Sequence, residues 1–242
     1  MHSKHLKPTH STQTKHPTQT YSKHHVNAFQ NLAVVYLVER LASFVSEHKL
    51  KPIRCVPTSY QAKELILQNP QALILSSLDV DPELQVAFDG ADELDRHFNC
   101  IKGGGGALFQ EKVVASCAKR FVIVADYRKD SDSLGEQYKR GVPVEVLPLA
   151  TVPVLKRLHA QFPQYRPVVR QAGASKIGPL VTDNGNFIID LQLQGEVIKN
   201  PPALHSELKQ IAGVIETGLF CNMVHSVYFG MEDGSVVKKC NP

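Results

Sequence analysis

Between positions 89 and 111 the sequence gathers the residue types that proton transfer needs. They are Asp89-Gly90-Ala91-Asp92-Glu93-Leu94-Asp95, then Lys102-Gly103-Gly104-Gly105-Gly106, then Glu111-Lys112. A carboxylate can take a proton from carbon or oxygen, and an ammonium can hold the negative charge left behind. Asp89 ends the apolar run Val86-Ala87-Phe88, so it is expected at the carboxyl end of a strand, where open α/β sheets bind ligands. Gly90 and Ala91 leave room for a ligand against the backbone and let Asp92 face the same space. A tetraglycine costs conformational entropy unless its backbone must take positive φ or approach a ligand closely. The N–H groups of Gly103, Gly104 and Gly105 are therefore expected to form an anion-binding nest, entered by Lys102. Glu111 falls near the start of the helix leaving this loop, where a partly desolvated carboxylate has a pKa open to tuning.

Other chemistries fit less well. The glycine run lacks the Gly-Lys-Ser/Thr ending of a nucleotide loop, and G-x-G-x-x-G fails because position 108 is Leu. Asp89, Asp92 and Asp95 stand three apart, not two as in an EF-hand, which disfavours calcium. Each piece alone also reads as surface charge: an acidic turn, Lys102 paired with one of its acids, and Glu111-Lys112 as an exposed helix pair. Their concentration around four glycines favours a site.

The elements that must position these groups follow from apolar spacing. Val34, Leu37, Val38, Leu41, Phe44 and Val45 recur at helical intervals behind a possible cap at Asn31. A short strand at Ile53–Val56 and a helix capped by Ser59 and reaching Leu67 follow. Gln85–Asp89 and Phe121–Ala125 read as buried strands, with a helix over Leu108–Ala118 between them. Apolar strands alternating with helices predict a parallel sheet covered on both faces. Further on, Pro167–Gln171, Leu180–Thr182 and Phe187–Leu193 read as strands, with Asp183-Asn184-Gly185-Asn186 as a hairpin turn. A helix over Pro202–Ile211 and a strand at Val214–Thr217 complete a βββαβ-like unit, and Ser226–Met231 returns to the main sheet. The expected fold is thus α/β: an open, mostly parallel sheet with helices on both faces plus a smaller α+β (ferredoxin-like) domain. The expected boundaries are a tail at 1–27, a main domain at 28–148 and 226–242, and the small domain at 149–225.

Composition narrows the partners. The chain has 242 residues, 43% of them hydrophobic, and a net charge of +4. Lys4, Lys7, Lys15 and Lys23 are the only Lys or Arg before Glu39, and the remainder carries 23 Lys and Arg against 23 acidic residues. No basic face argues for nucleic acid. No apolar run is long enough for a membrane span or a secretory core. Five cysteines without CxxC spacing predict neither a zinc site nor a disulfide framework, and fit a cytoplasmic protein. Residues 1–27 hold six histidines among Thr, Ser, Gln and Lys, and are expected to be disordered.

The chemical cluster is also the basis of a family resemblance. Asp89–Asp95 is similar to D-G-A-D-E-x-D, Lys102–Leu108 to K-G-G-G-(G/A)-A-L, and Glu111-Lys112 to the following E-K of the ribose-5-phosphate isomerase A family. The similarity continues through Ala125–Lys129, Val142–Val146, Val181–Asn186 and Gly213–Phe220, and Pro57–Ala62 resembles the version in eukaryotic members. It spans roughly residues 33–235. The resemblance implies interconversion of ribose 5-phosphate and ribulose 5-phosphate in the pentose phosphate pathway. Glu111 would move a proton between C2 and C1 through an enediolate, and Lys102 would stabilise the oxyanion. Asp89 and Asp92 would handle hydroxyl protons and ring opening, with Lys129 contacting substrate. Gly90, Ala91, Gly103, Gly104 and Gly105 would line the bound sugar. No metal or organic cofactor is implied, and the partners are a sugar phosphate and further copies of the chain, as a homodimer or homotetramer.

In one place the sequence departs from that family, which opens with a strand and a G-x-G-(S/T)-G-S-T phosphate loop. Here Ala28-Phe29-Gln30-Asn31-Leu32 precede the first helix, and no Gly, Ser or Thr lies between Asn27 and Asn31. The expectation is an isomerase impaired in phosphate binding, with two strand edges left exposed. The alternative is a weak paralogue or isoform acting as a sugar-phosphate-binding or oligomer-partner subunit.

Overall fold

The computed structural model describes residues 32–174 and 176–241. The expected tail at 1–27 and the cap at Asn31 lie outside the described residues. The chain opens with α1 (Leu32–Ser46), β1 (Ile53–Cys55), α2 (Tyr60–Leu67) and β2 (Leu73–Leu75). Helical spacing works as expected here: Val38, Leu41, Ala42 and Val45 of α1 pack on Ile53, Ile66, Ala72 and Leu73. Ser59 caps α2, its hydroxyl accepting from Ala62 N at 3.1 Å.

The next segment carries β3 (Ala87–Asp89), β4 (Glu93–Leu94), β5 (Cys100–Ile101), α3 (Leu108–Ser116) and β6 (Phe121–Asp126). β3 runs parallel to β6, placing Asp89 beside Ile123. Later in the chain, β12 (Val224–Gly230) pairs parallel with the other side of β6, and β13 (Val236–Cys240) folds back on β12. The expected return strand is therefore present, with an exposed hairpin partner that its Lys238-Lys239 pair disguised. Ala87, Phe121, Ile123, Phe220, Val227 and Phe229 form the core beneath. Among the described residues β1 pairs only with β2, and β3 only with β6. An apolar hollow of about 400 Å³ lies between α1 and these two strands, lined by Leu37, Val38, Leu41, Ile53 and Ala87.

The intervening segment contains β7 (Val142–Val146), α4 (Thr151–Gln161), β8 (Arg166–Val169), β9 (Phe187–Gln192), α5 (Pro201–Lys209) and β10 (Val214–Thr217). Its strands form one antiparallel sheet in the order β10-β7-β9-β8. This is a βαββαβ unit of ferredoxin-like order, not βββαβ. Two corrections account for the difference. The helix α4, absent from the expected order, forms with Pro153 in its first turn, where proline costs no hydrogen bond. Leu180–Thr182 is not a strand; it leaves the sheet to lie over the glycine loop, where Leu180 approaches Gly106. β7 lies before the expected boundary at 149, yet it pairs in the centre of this sheet. β11 (Leu219–Phe220) then leaves the unit to pair with β5, which also pairs with β4.

Candidate active site

The acidic run after β3 divides into two groups with different jobs. Glu93, in β4, and Asp95, just after it, turn into the interior, while Asp89, at the end of β3, and Asp92, before β4, line a cleft. Glu93 is fully buried and accepts from Ser131 Oγ (2.8 Å), Gly135 N (2.8 Å) and Gln137 N (2.7 Å), holding the loop after β6. Asp95 accepts from the N–H groups of His97 and Asn99, each at 2.9 Å, and shapes the β4–β5 turn. Neither is available for chemistry.

β5 delivers Lys102 to the same cleft. Its backbone N–H donates to Gly218 O at 2.8 Å, so β11 fixes where the side chain starts. The ammonium donates to Gly90 O at 2.6 Å and lies 3.0 Å from Asp89 Oδ2 and 3.2 Å from Glu111 Oε2. Lys102 is 2% exposed, Asp89 3% and Glu111 8%. Two carboxylates thus share one buried ammonium. Burial alone would push Lys102 down, but Asp89 and Glu111 together outweigh it and raise its pKa, so it stays charged. The Glu111 carboxyl is pushed up to about 8, first by burial and then by the charge on Asp89, against the pull of Lys102.

The glycine loop is built as a frame for Asp92. Gly104 N donates to Asp92 Oδ2 at 2.7 Å, so one nest amide expected to meet a ligand already holds a carboxylate. A Cβ on Gly104 would sit 2.6 Å from Asp92 Oδ1, whereas one on Gly105 would meet nothing. Gly103 takes φ +101° and packs against Leu108. Burial raises the Asp92 pKa, while the Gly104 N–H and then Lys102, Lys129 and Arg170 pull it down. Lys129 itself follows β6 and makes its charge felt at Asp92, but it is not among the cleft-lining residues.

α3 presents Glu111 and Lys112 to opposite sides, and both are buried. Lys112 Nζ donates to Thr217 O (2.6 Å), Leu219 O (2.9 Å) and Glu216 Oε1 (2.9 Å), locking the helix against β10 and β11. The exposed helix pair is therefore not what forms. One residue works in the cleft and its neighbour sets the helix orientation.

The cleft has a volume of about 240 Å³ and includes Gly90, Ala91, Gly103, Gly104 and Gly105 in its lining. Its far side comes from residues that spacing alone did not single out as a site: Thr58, Ser59, Tyr60 and Gln61 at the start of α2, and Asp183. Asp183 Oδ2 accepts from Tyr60 N at 2.7 Å, tying the smaller unit to α2 across the cleft. The sequence signals at these places, a helix cap and a hairpin turn, concerned local structure only. Arg170 was also missed. It is buried, pairs with Asp190, and donates to Gly103 O (2.8 Å) and Gly104 O (3.2 Å) from behind the loop. No group of three or more His, Cys, Asp or Glu with metal-holding geometry occurs among the described residues. No helix among them is long and apolar enough to cross a membrane.

Comparison with known proteins gives one answer at the levels of sequence and fold. The ribose-5-phosphate isomerase of Schizosaccharomyces pombe is 48% identical over 206 residues, covering 85% of this chain and 72% of the relative. The ribose-5-phosphate isomerase of Homo sapiens is 47% identical over 209 residues, covering 86% of this chain but 65% of the relative. The chain thus spans just under two thirds of the length of that human relative. A solved D-ribose-5-phosphate isomerase in complex with phospho-erythronic acid superposes with a TM-score of 0.80 at 37% identity, covering 87% of this chain and 88% of that one. Ribose 5-phosphate isomerase A of Methanocaldococcus jannaschii superposes with a TM-score of 0.74, also at 37% identity, covering 85% of this chain and 86% of that one. With the family's sequence model matching residues 54–234, the chain belongs to the ribose 5-phosphate isomerase A (phosphoriboisomerase A) family.

Proposed function

We propose that this chain interconverts ribose 5-phosphate and ribulose 5-phosphate by proton transfer between adjacent carbons. The observation that carries this reading is the buried Glu111–Lys102–Asp89 cluster, with Nζ–O distances of 3.2 and 3.0 Å, opening on a cleft that fits a small polyol. Glu111 is the base. Its raised pKa makes it a stronger proton acceptor than an ordinary carboxylate, at the cost of being protonated over more of the pH range. Removing the proton at C2 of the open-chain aldose puts negative charge on O1. Lys102, held charged by its neighbours, stabilises that enediolate, and Glu111 returns the proton to C1. Asp89 and Asp92, on the same wall, exchange hydroxyl protons and open the ring. Gly90, Ala91 and the glycines 103–105 contact the sugar, and Lys129, outside the cleft lining, acts on it through its charge at Asp92.

The test is the Glu111→Gln chain assayed with ribose 5-phosphate. A general base of this kind contributes about 10²–10⁴-fold to rate. Wild-type turnover in that variant would defeat the assignment and would favour a subunit that binds sugar phosphates without converting them. A phosphorylated four-carbon acid such as phospho-erythronic acid is expected to compete with substrate for this cleft.

The same reading gives this chain weak phosphate binding. A remote phosphate supplies energy that positions the reacting carbons, and positions 27–31 offer no Gly, Ser or Thr. The proposed consequence is a small advantage of ribose 5-phosphate over unphosphorylated ribose in kcat/KM. A large advantage would show that phosphate is well held. Residence in the cytoplasm and assembly into dimers or tetramers belong to the same reading, supported by the unpaired cysteines and by the family.

A further inference from the structure

Glu145 is a second buried acid, outside the proton-transfer cluster. It lies in the centre of β7 and is fully buried. Its hydrogen-bond partners are all neutral groups. Oε1 accepts from Thr182 Oγ1 at 2.8 Å and from Asn186 Nδ2 at 3.0 Å. Oε2 accepts from Phe109 N at 3.3 Å. A buried carboxylate is costly, and three donors converging on it from two other segments imply that it holds those segments in place.

Both segments lead to the cleft. Phe109 is in the first turn of α3, two residues before Glu111, and Ala107 gives that helix no side-chain cap. Glu145 supplies from a distant strand the acceptor that a cap residue would otherwise provide. On the other side, Thr182 Oγ1 also accepts from Asn186 N at 3.1 Å, so its hydroxyl proton is committed to Glu145. That closes the 182–186 turn, whose Asp183 donates from its backbone to Gly106 O (3.2 Å) and accepts from Tyr60 N (2.7 Å). We infer that Glu145 is a positioning residue: its carboxylate clamps the start of α3, which carries Glu111, to the turn that carries Asp183 onto the cleft rim.

This inference rests on the isomerase reading, and two substitutions separate its two arms. In Glu145→Gln the amide oxygen can still accept from Thr182 and Asn186, but the NH₂ group then opposes Phe109 N–H, so the α3 arm breaks. Thr182→Val removes the hydroxyl and breaks the turn arm. Steady-state kinetics with ribose 5-phosphate should show kcat falling about 10- to 100-fold in Glu145→Gln, with KM within about threefold of wild type. Thr182→Val should show the reverse split, with KM raised and kcat nearly unchanged. Two folded variants with wild-type kcat and KM, or with identical losses in both, would overturn the inference. If Glu145→Gln does not fold, Thr182→Val decides it: a raised KM supports the clamp and a wild-type KM removes it. A wild-type chain without turnover would count against the isomerase reading alone. The clamp would then be read from the ¹³C resonance of the Glu111 carboxyl. Its titration midpoint shifts in folded Glu145→Gln if the clamp operates and coincides with wild type if it does not.

Discussion

Glu111 Oε2 lies 3.2 Å from Lys102 Nζ, and both side chains are almost excluded from water. Because Asp89 contacts the same ammonium at 3.0 Å, the single positive charge is divided between two acids, and Glu111 is left short of compensation. Burial first and this shortfall second hold its carboxyl well above the ordinary carboxylate range.

Lys102→Met tests the shared cation. The substitution keeps volume but leaves Asp89 and Glu111 facing each other in a buried space. Breaking a buried pair from one side costs about 3–5 kcal/mol, so a large fall in Tm is expected at neutral pH. The loss should grow above pH 8, where Glu111 also ionises, and shrink in acid. Thermal unfolding across pH measures it, and a uniform loss at all pH values would contradict the arrangement.

The pH dependence of stability has a definite sign. In the folded chain Glu111 titrates at about 8, against an ordinary value of 4.5. Between those values the native state binds a proton that the unfolded state has released, so Glu111 costs stability progressively as pH rises through that window. Glu111→Gln should therefore raise Tm relative to wild type at pH 8 and above, with the gap closing towards pH 4.5. Differential scanning calorimetry of both chains over that range would show it.

Activity should run the other way. Only the deprotonated base accepts a proton, so kcat/KM should climb with pH towards a limb near 8. A profile already flat from pH 6 would mean that Glu111 is ionised in the free chain.

Neighbouring glycines should respond differently to the same change. Gly104→Ala drives a methyl to 2.6 Å from Asp92 Oδ1, so Asp92 must leave its place, and kcat/KM should fall about tenfold or more. Gly105→Ala meets nothing and should cost far less. Equal losses would show that the loop needs glycine for flexibility, not for the fit of Asp92.

Arg170→Met would strand Asp190 in the interior and free the carbonyls of Gly103 and Gly104. Destabilisation of about 3–5 kcal/mol is expected for the unpaired acid. Urea unfolding measures it.

Sequence alone specified the part of the site that is short in range. Asp89 ends β3 and Glu111 lies in the first turn of α3, two elements that apolar patterning predicts, and Lys102 enters the glycine run between them. Their convergence on one cleft was therefore readable from order and spacing, whereas their proposed roles rest on the family resemblance. It could not divide the acids after β3, because Glu93 and Asp95 differ from Asp89 and Asp92 only in the direction the backbone turns them. Nor could it find the opposite wall of the cleft. Tyr60 and Asp183 are 123 residues apart and meet only because the βαββαβ unit returns its 182–186 turn to α2. Arg170 and Glu145 follow the same logic. A buried charge is paid for by partners that the fold supplies from elsewhere, and no local pattern encodes which distant donors will arrive.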